Sequence, residues 1–434
     1  MNKYKGIILF VIVLVSIISV ILVNVNFDVK REENSEKYIE EKTISKPEGI
    51  EAYTLNGEKT NKEFNDLINN YVLDKITCRN GTIATYSKAT NEVSLSNIHM
   101  PDYCTMNFRY TIYGKLLADN TTIKTRTDFS TVFTEINTGT LYKSTESIVG
   151  STPKEVYYFA GNAQNNWVKF AGFYWRIIRT NSDGSVRLLY SGTESEGTAG
   201  SSAHIGGSVF NTNADNPMYV GYKYGTSGSL ANNRQNTTDS TIKGVIDNWY
   251  KNNLTSFTNY LSTTAVYCND RNEQDEGSYN LGDTTFYFAS RYRAYTSFVP
   301  TYDCTTSADA FSASNANAKL TYPIALMTVD EVMYAGGKSN TSLTSPYAWF
   351  YLNSEGESIT GGYWWWIMSP VYWYTNIAHV LNVGNNVYPG YIAAAKVNTT
   401  PVVRPVISVK SCALWKSGDG SASNPYEIVE NGGC

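Results

Sequence analysis

The stretch VKFAGFYWRIIRTNSDGSVRLLY, residues 168–190, decides the fold of the main part of the chain. Two runs of aromatic and aliphatic residues, 168–179 and 185–190, flank the turn sequence NSDG at 181–184. Aromatic and β-branched residues favour strands, and Asn, Asp and Gly favour tight turns because they tolerate unusual backbone angles. The segment therefore predicts a β-hairpin.

Two helices and several more strands are predicted after this hairpin. Apolar residues recur at helical spacing over 242–249, behind the good N-cap residues at 239–240. Thr328 and Glu331 have the spacing of a capping box at the start of a helix over 329–335. Further strands are predicted at 324–327, 378–383 and 402–409, the last at an edge or a bulge because of Pro405. We therefore expect an α+β domain with few helices and a twisted, mostly antiparallel sheet.

The N-terminus carries an apolar run that predicts a membrane anchor. Residues 6–23 contain no charge, and at ~1.5 Å per residue such a helix can just span a bilayer core. Lys3 and Lys5 precede the run and predict a cytoplasmic N-terminus. The alternative is a cleaved signal peptide, which would usually have a shorter apolar region and end in small residues. Either way the bulk of the chain is expected outside the cell. The uncleaved anchor, which we favour, would hold it at the cytoplasmic membrane by a single pass.

Changes in composition along the chain predict five segments. They are an N-terminal transmembrane anchor at 1–27, a charged stalk at 28–60, a small β-rich module at 61–143, a linker at 144–154 and the main domain at 155–434. The stalk is dense in charge of both signs, which is typical of a solvated segment.

Six cysteines occur without any C-x-x-C pair, which argues against a zinc ribbon or a redox motif. An even number in an exported chain favours disulfides, with free buried thiols as the alternative. The simplest pairing is local, Cys78 with Cys104, Cys268 with Cys304, and Cys412 with Cys434.

Charge and motifs argue against several functions. The 35 basic and 39 acidic residues give a net charge of -4, so no basic excess indicates nucleic-acid binding. The three histidines, His99, His204 and His379, lack metal-ligand spacing, so we expect no metal or other cofactor. The acidic residues at 270–276 lack the spacing of an EF-hand loop and are better explained as a solvated loop. The sequence shows no catalytic constellation, so we do not expect an enzyme.

Three segments carry a resemblance to a known family: VKFAGFYWRII at 168–178, WIMSP at 366–370 and VRPVI at 403–407. Their order resembles a family of uncharacterised exported bacterial proteins over residues 157–428. The core of that family resembles the C-type-lectin-like fold, shared with the formylglycine-generating enzyme group and with the variable proteins of diversity-generating retroelements. The resemblance implies a C-type-lectin-like, ligand-binding main domain. One alternative is an enzyme of the formylglycine-generating type, which would need a reactive cysteine pair, whereas Cys268 and Cys304 better fit a disulfide that closes a loop. A structural envelope protein is a further alternative.

The aromatic segment 363–391 contains the candidate ligand-binding residues. On a strand, alternate side chains take opposite faces, so Trp365 should point outward if Trp366 packs inward. The residues after 370 are expected to form a loop that exposes its aromatic rings, which could stack on a surface glycan or anchor a protein partner. The alternative is that these rings cover the polar loop predicted at 192–240. The candidate residues are Trp365, Tyr372, Trp373, Tyr374, Asn376, His379, Asn382, Asn385, Asn386, Tyr388 and Tyr391.

The same segment resembles a diversified region. Between residues 372 and 398, Asn, Tyr and His recur among plain aliphatic scaffold residues. Randomisation of adenines in Asn-type codons by a diversity-generating retroelement typically produces such residues. The alternative is an ordinary Asn-rich hairpin in a fixed binding face.

Overall fold

The computed structural model describes residues 50–431, apart from 88–89, 91, 195–202 and 354. The predicted anchor, residues 28–49 of the predicted stalk, and Cys434 therefore lie outside the described residues. Within the described ranges, no helix has the length and apolar character needed to cross a bilayer. The described chain is rich in strands and has few helices, which confirms the predicted α+β class.

Residues 50–110 form a small module with its own sheet and core. Its strands are β1 (Ile50–Leu55), β2 (Glu58–Lys59), β3 (Val72–Cys78), β4 (Ile83–Ser87), β5 (Glu92–Ser96) and β6 (Cys104–Arg109). The main sheet of the module has the order β2-β1-β6-β3, and β4 pairs with β5 alone. Helix α1 (Phe64–Asn70) buries Phe64 and Leu67 against Met106 and Phe108 of β6. Cys78 and Cys104 face each other on β3 and β6 and form the first predicted disulfide.

The remaining strands build the main domain. They are β7 (Thr122–Lys124), β8 (Ile136–Asn137), β9 (Thr140–Glu146), β10 (Lys154–Tyr158), β11 (Asn162–Ala163), β12 (Trp167–Phe170), β13 (Phe173–Thr180), β14 (Val186–Tyr190), β15 (Lys223–Tyr224), β16 (Thr238–Asp239), β17 (Tyr267–Cys268), β18 (Phe286–Tyr287), β19 (Ala310–Phe311), β20 (Ile324–Ala325), β21 (Trp365–Tyr374), β22 (Ile377–Val383), β23 (Ile392–Lys396), β24 (Val406–Val409), β25 (Trp415–Ser417) and β26 (Tyr426–Ile428). The α-helices are α2 (Ile112–Asp119), α3 (Leu230–Asn233), α4 (Thr241–Asn253), α5 (Ala289–Tyr292) and α6 (Val329–Ala335).

These pairings differ from the predicted boundaries of the small module. Strands β1 and β2 come from the predicted stalk, whereas β7 and β9 belong to the sheet of the main domain. The predicted linker at 144–154 covers the end of β9, the turn at 147–153 and the start of β10, which pair as an antiparallel hairpin. Small and turn-forming residues mark a linker and a tight turn equally well, and here Gly150 takes a φ of 75° in the turn.

The principal sheet of the main domain has the order β20-β24-β14-β13-β10-β9-β7. The predicted hairpin is confirmed, since β13 and β14 pair antiparallel. Strand β24 lies between β14 and β20, so the edge position predicted from Pro405 is wrong. Pro405 precedes the strand, where its missing N–H is harmless, and its carbonyl accepts a hydrogen bond from Tyr190 N.

Both predicted helices are confirmed. Ser240 caps α4 by accepting a hydrogen bond from Lys243 N, and Thr328 and Glu331 form the capping box of α6. All residues of α6 are buried. The segment 192–240 is not mainly a surface loop where it is described, because it buries Phe210, Val220 and Tyr222 in the core. The second predicted disulfide, Cys268–Cys304, is also confirmed.

A second sheet, in the order β18-β21-β22-β23, positions the candidate site. All pairings in this sheet are antiparallel, and the register shifts between Trp366 and Tyr372 accommodate Pro370 within β21. The burial of most residues in β21 and β22 shows that both faces of the sheet are covered. The chain after residue 370 is therefore a strand, where a loop had been predicted.

Candidate functional site

The predicted ligand-binding residues do not form one face, because they lie at two ends of the β21-β22-β23 sheet. Strand β22 has seven residues and so spans about 20 Å. Tyr372, Tyr374, Asn376 and His379 lie towards the β21–β22 turn, and the candidates from Asn385 to Tyr391 lie in the β22–β23 connection. Sequence proximity had suggested a single surface, but an antiparallel hairpin separates residues along its length.

Two of the predicted contact residues are core residues. Trp365 and Trp373 are each only 1% exposed, so their predicted exposure is wrong. The ring of Trp365 lies 4.9 Å from the guanidinium of Arg404, and Trp373 Nε1 donates a hydrogen bond to Gly282 O at 2.8 Å. Alternation along a strand predicts exposure only when one face of the sheet meets water, and here other segments cover both faces.

The turn end of the sheet carries a partly exposed aromatic row. Tyr287, Tyr372, His379 and Lys396 stand side by side in register on four neighbouring strands. The rings of Tyr372 and His379 are 4.6 Å apart. Burial lowers the pKa of His379, and Lys396 lowers it further, against a hydrogen bond with Ile377 O that acts to raise it.

The tip of this turn is exposed, but its Asn376 side chain already has a hydrogen-bond partner within the protein. Thr375 and Asn376 take φ values of 47° and 58°, the conformation of a two-residue hairpin turn, and Tyr374 is 51% exposed beside them. The side-chain amide of Asn376 donates to the carboxylate of Asp283. Asn376 therefore fixes the loop before β18 against the hairpin.

The opposite end of the sheet holds a group of aromatic rings around Trp364. Its ring centroid lies 5.9 Å from that of Tyr388 and 6.2 Å from that of Tyr391. Asn385 supports this loop, since its side chain donates to Gly362 O at 2.8 Å and accepts from Val387 N at 3.1 Å. Asn385 is thus a structural residue, whereas Asn386 and Tyr388 are exposed.

A cleft of about 390 Å³ opens beside these rings. Its walls combine aromatic, amide, hydroxyl and small side chains, from Gly362, Tyr363, Trp364, Asn382, Ala393, Ala394, Thr399, Thr400 and Pro401. Tyr363 is 58% exposed, and its ring lies 5.7 Å from that of His204. None of these lining residues carries a charge. The cleft is the size of a small-ligand site, and its polar groups are few.

Asn382 lines this cleft from β22, where it is paired with Trp366 and Ala393 on the neighbouring strands. Its side chain is buried, with 5% of the residue exposed, and its Oδ1 has no hydrogen-bond partner in the described part of the chain. A buried amide oxygen without a donor costs about 1–3 kcal/mol. This oxygen is closed to solvent, so a ligand in the cleft that donates a hydrogen bond to it would remove this penalty only after the amide turns towards the cleft.

The sequence identified part of this cleft. Asn382 was among the predicted residues, with Tyr388 and Tyr391 in the adjoining ring group, but Tyr363 and Trp364 were not chosen. The run YWWW at 363–366 was the available signal. The strand begins only at Trp365, so the two preceding rings are the ones that reach the surface.

Two of the four acidic residues predicted as a solvated loop, Asp270 and Glu273, have protein partners, whereas Asp275 and Glu276 are exposed. Asp270 pairs with Arg293 at 2.8 Å, and Glu273 accepts hydrogen bonds from the backbone of Gly277 and Tyr279. Across the described ranges, no group of three or more His, Cys, Asp or Glu side chains is arranged to hold a metal ion.

Comparisons with models of protein families, with curated proteins and with solved structures found no match to this chain.

Proposed function

We propose that this chain is a membrane-anchored extracellular binding protein, of the adhesin or receptor kind, whose C-type-lectin-like main domain binds a surface glycan in the cleft around Asn382. The observation that carries the proposal is the buried amide of Asn382, whose Oδ1 has no partner in the described part of the chain, at the wall of a cleft with aromatic rings. Sugars need both features, because their C–H faces stack on aromatic rings and their hydroxyls donate to amide oxygens.

The composition of the cleft favours a neutral sugar unit over a protein side chain. Its lining has no charge, and Thr399 and Thr400 add hydroxyls that can donate or accept. Ala393 and Ala394 leave room beside the sheet, while Tyr363 and Trp364 present ring surface at the rim. A protein ligand is the other outcome to test. The enzyme and the structural envelope protein remain alternatives with no specific observation in their favour.

The test uses the full-length chain, purified in detergent, on an array of glycans and surface proteins. We expect binding to neutral glycans, and Asn382→Leu should weaken it at least about tenfold because the ligand donor loses its acceptor. Trp364→Ala should weaken it similarly by removing ring contact. The matched controls are Asn386→Ala, beside the cleft, and Tyr374→Ala, at the turn end of the sheet; both should bind normally.

Folding does not confound this experiment, since Asn382→Leu removes an unsatisfied polar group and should unfold at an equal or higher urea concentration. Retained glycan binding by a folded Asn382→Leu protein would overturn the assignment of the cleft. If the chain binds protein ligands and no glycan, the proposal of a glycan ligand is overturned.

Export and diversification are part of the same proposal and have separate tests. Protease treatment of intact cells should remove the main domain if it lies outside. A nearby reverse-transcriptase gene, with a template repeat that differs from codons 372–398 only at adenines, would support a diversified region. The exposed positions of Asn386, Tyr388 and Asn398 beside a buried scaffold are compatible with such variation.

A further inference from the structure

A second cleft, of about 710 Å³, opens on a different part of the main domain. Three loops surround it, and each contributes polar side chains. The polar residues that line it are Asn162, Gln164, Asn353, Glu355, Ser421 and Ser423. These amide and hydroxyl groups offer both donors and acceptors, and Trp167 adds one aromatic ring to the lining.

Arg176, from strand β13, lines this cleft although the residue is only 3% exposed. Its guanidinium stacks 4.2 Å from the ring of Trp167, which holds the side chain in place. Nε donates to Asn166 Oδ1 at 2.7 Å, and the two Nη atoms donate to Leu352 O at 3.3 Å and Ala163 O at 3.2 Å. A guanidinium has five N–H groups, so these three bonds leave two to be satisfied.

The charge of Arg176 has no counter-ion within the described residues. Three other buried arginines, Arg179, Arg187 and Arg271, reach carboxylates, for example Arg271 with Asp309 at 2.7 Å, whereas Arg404 donates only to backbone carbonyls. Arg176 has neutral acceptors only, and burial and the nearby Arg404 both lower its pKa. A buried charge is stabilised far better by an opposite charge than by neutral dipoles. An anion that enters the cleft can supply that charge.

We propose that this cleft binds the carboxylate of an acidic sugar unit. The carboxylate pairs with the free N–H groups of Arg176, and the sugar hydroxyls contact the amides and hydroxyls of the three loops. The exposed Glu355 at the cleft repels a dianionic phosphate more strongly than a carboxylate with a single charge. The volume is sufficient for one sugar ring with bound water.

Titration calorimetry of the full-length chain with methyl glucuronide and methyl glucoside tests the proposal. These probes differ only at the carboxylate, so the glucuronide should bind at least about tenfold more tightly, and added salt should weaken it. Equal affinities, or no binding of the glucuronide at millimolar concentration, would overturn the proposal. An equally tight complex with the carboxylate of N-acetyl-dialanine would overturn the assignment to a sugar.

Variants at the rim keep the test independent of folding, because substitution of the buried Arg176 could unfold the protein. Ser423→Trp places a large side chain in the cleft from an exposed loop position and should abolish glucuronide binding. Glu355→Gln removes a like charge and should strengthen binding about two- to threefold. Asn382→Leu, in the other cleft, is the control and should leave glucuronide binding unchanged. Normal glucuronide affinity in a folded Ser423→Trp protein would show that the ligand lies elsewhere.

Discussion

Strand β13 carries two buried arginines, three residues apart, whose surroundings differ in charge. Arg179 lies 2.8 Å from Glu146 and 3.0 Å from Glu331, whereas Arg176 reaches only neutral acceptors and a cleft. The register of β13 against β14 shifts between Ile177 and Arg179, so Arg176 and Arg179 lie opposite Leu189 and Arg187, which are two residues apart on β14 and share one side of the sheet. The Arg179 end of β13 is electrically complete, whereas the Arg176 end has no paired carboxylate within the described residues.

The charge network at the Arg179 end is organised by Glu331 of helix α6. Its carboxylate accepts from Arg187 at 2.5 Å and from Arg179 at 3.0 Å, and it also closes the capping box by accepting from Thr328 N at 3.0 Å. Burial alone would raise the pKa of Glu331, but Arg187 and Arg179 lower it below its ordinary value. Buried arginines in one fold can therefore be parts of a closed network or unpaired charges, and an unpaired one can line a cleft, as Arg176 does, or lie wholly inside the fold, as Arg404 does.

The largest effect should follow from Glu331→Gln, which leaves two buried arginines with one carboxylate fewer. Breaking a buried ion pair from one side costs about 3–5 kcal/mol, so we expect a loss of that size in the free energy of unfolding. Urea unfolding of the full-length chain measures it, with the exposed Glu355→Gln as the matched control. A loss below about 1 kcal/mol would show that the network is not closed by Glu331.

A smaller effect is expected for Arg404→Met, at the second buried arginine without a carboxylate. Arg404 donates to Tyr190 O and Phe350 O, and burial lowers its pKa. The substitution leaves these carbonyls without donors but also removes an uncompensated charge, so we expect a loss of about 1–3 kcal/mol. If this variant is destabilised as much as Glu331→Gln, the distinction between the two kinds of arginine fails.

The smallest effect is the response to acid, which should come from the carboxylates paired with Arg179. Burial acts to raise the pKa of Glu146, but Arg179 lowers it. The pKa of Glu146 therefore lies below its ordinary value, as does that of Glu331. A depressed folded pKa stabilises the protein above the unfolded value, about 4.3, and this contribution is lost as the pH falls through the folded pKa. Urea midpoints should therefore change little from pH 7 to about 5 and decrease below about 4.5.

A matched variant sharpens the pH experiment. Glu146→Gln removes one of the two titrating carboxylates while Arg179 keeps its contact with Glu331. Its urea midpoint should decrease less steeply with acid than that of the parent protein. A decrease that already begins near pH 6 in both proteins would instead indicate a titrating histidine.

Local sequence rules predicted the elements that depend on neighbours along the chain. The β13–β14 hairpin, the Ser240 cap and the capping box of α6 each rest on residues within a few positions of one another. The exposure of Trp365 and Trp373 was predicted wrongly because it depends on segments far away in sequence that cover both faces of β21. Secondary structure is largely local, whereas burial is set by the tertiary fold.

The site was predictable to a similar extent. Asn382 and the rings of Tyr388 and Tyr391 were identified from composition, but their separation from Tyr374 and Asn376 required the hairpin geometry. Arg176 was identified only as part of the segment VKFAGFYWRII at 168–178, because the sequence does not show whether an arginine has a carboxylate nearby. The predicted partner of Cys412, Cys434, lies outside the described residues, so that pairing stays a prediction.

The position of β24 has a consequence for the order of folding during synthesis. This strand fills the place between β14 and β20, yet it begins only at Val406, more than 200 residues after β14 ends at Tyr190. Until Val406 emerges from the ribosome, β14 exposes an unpaired strand edge to solvent and to other nascent chains. The principal sheet must therefore close late, through a contact of high sequence separation, and a chain that stops before residue 406 would retain an edge prone to aggregation.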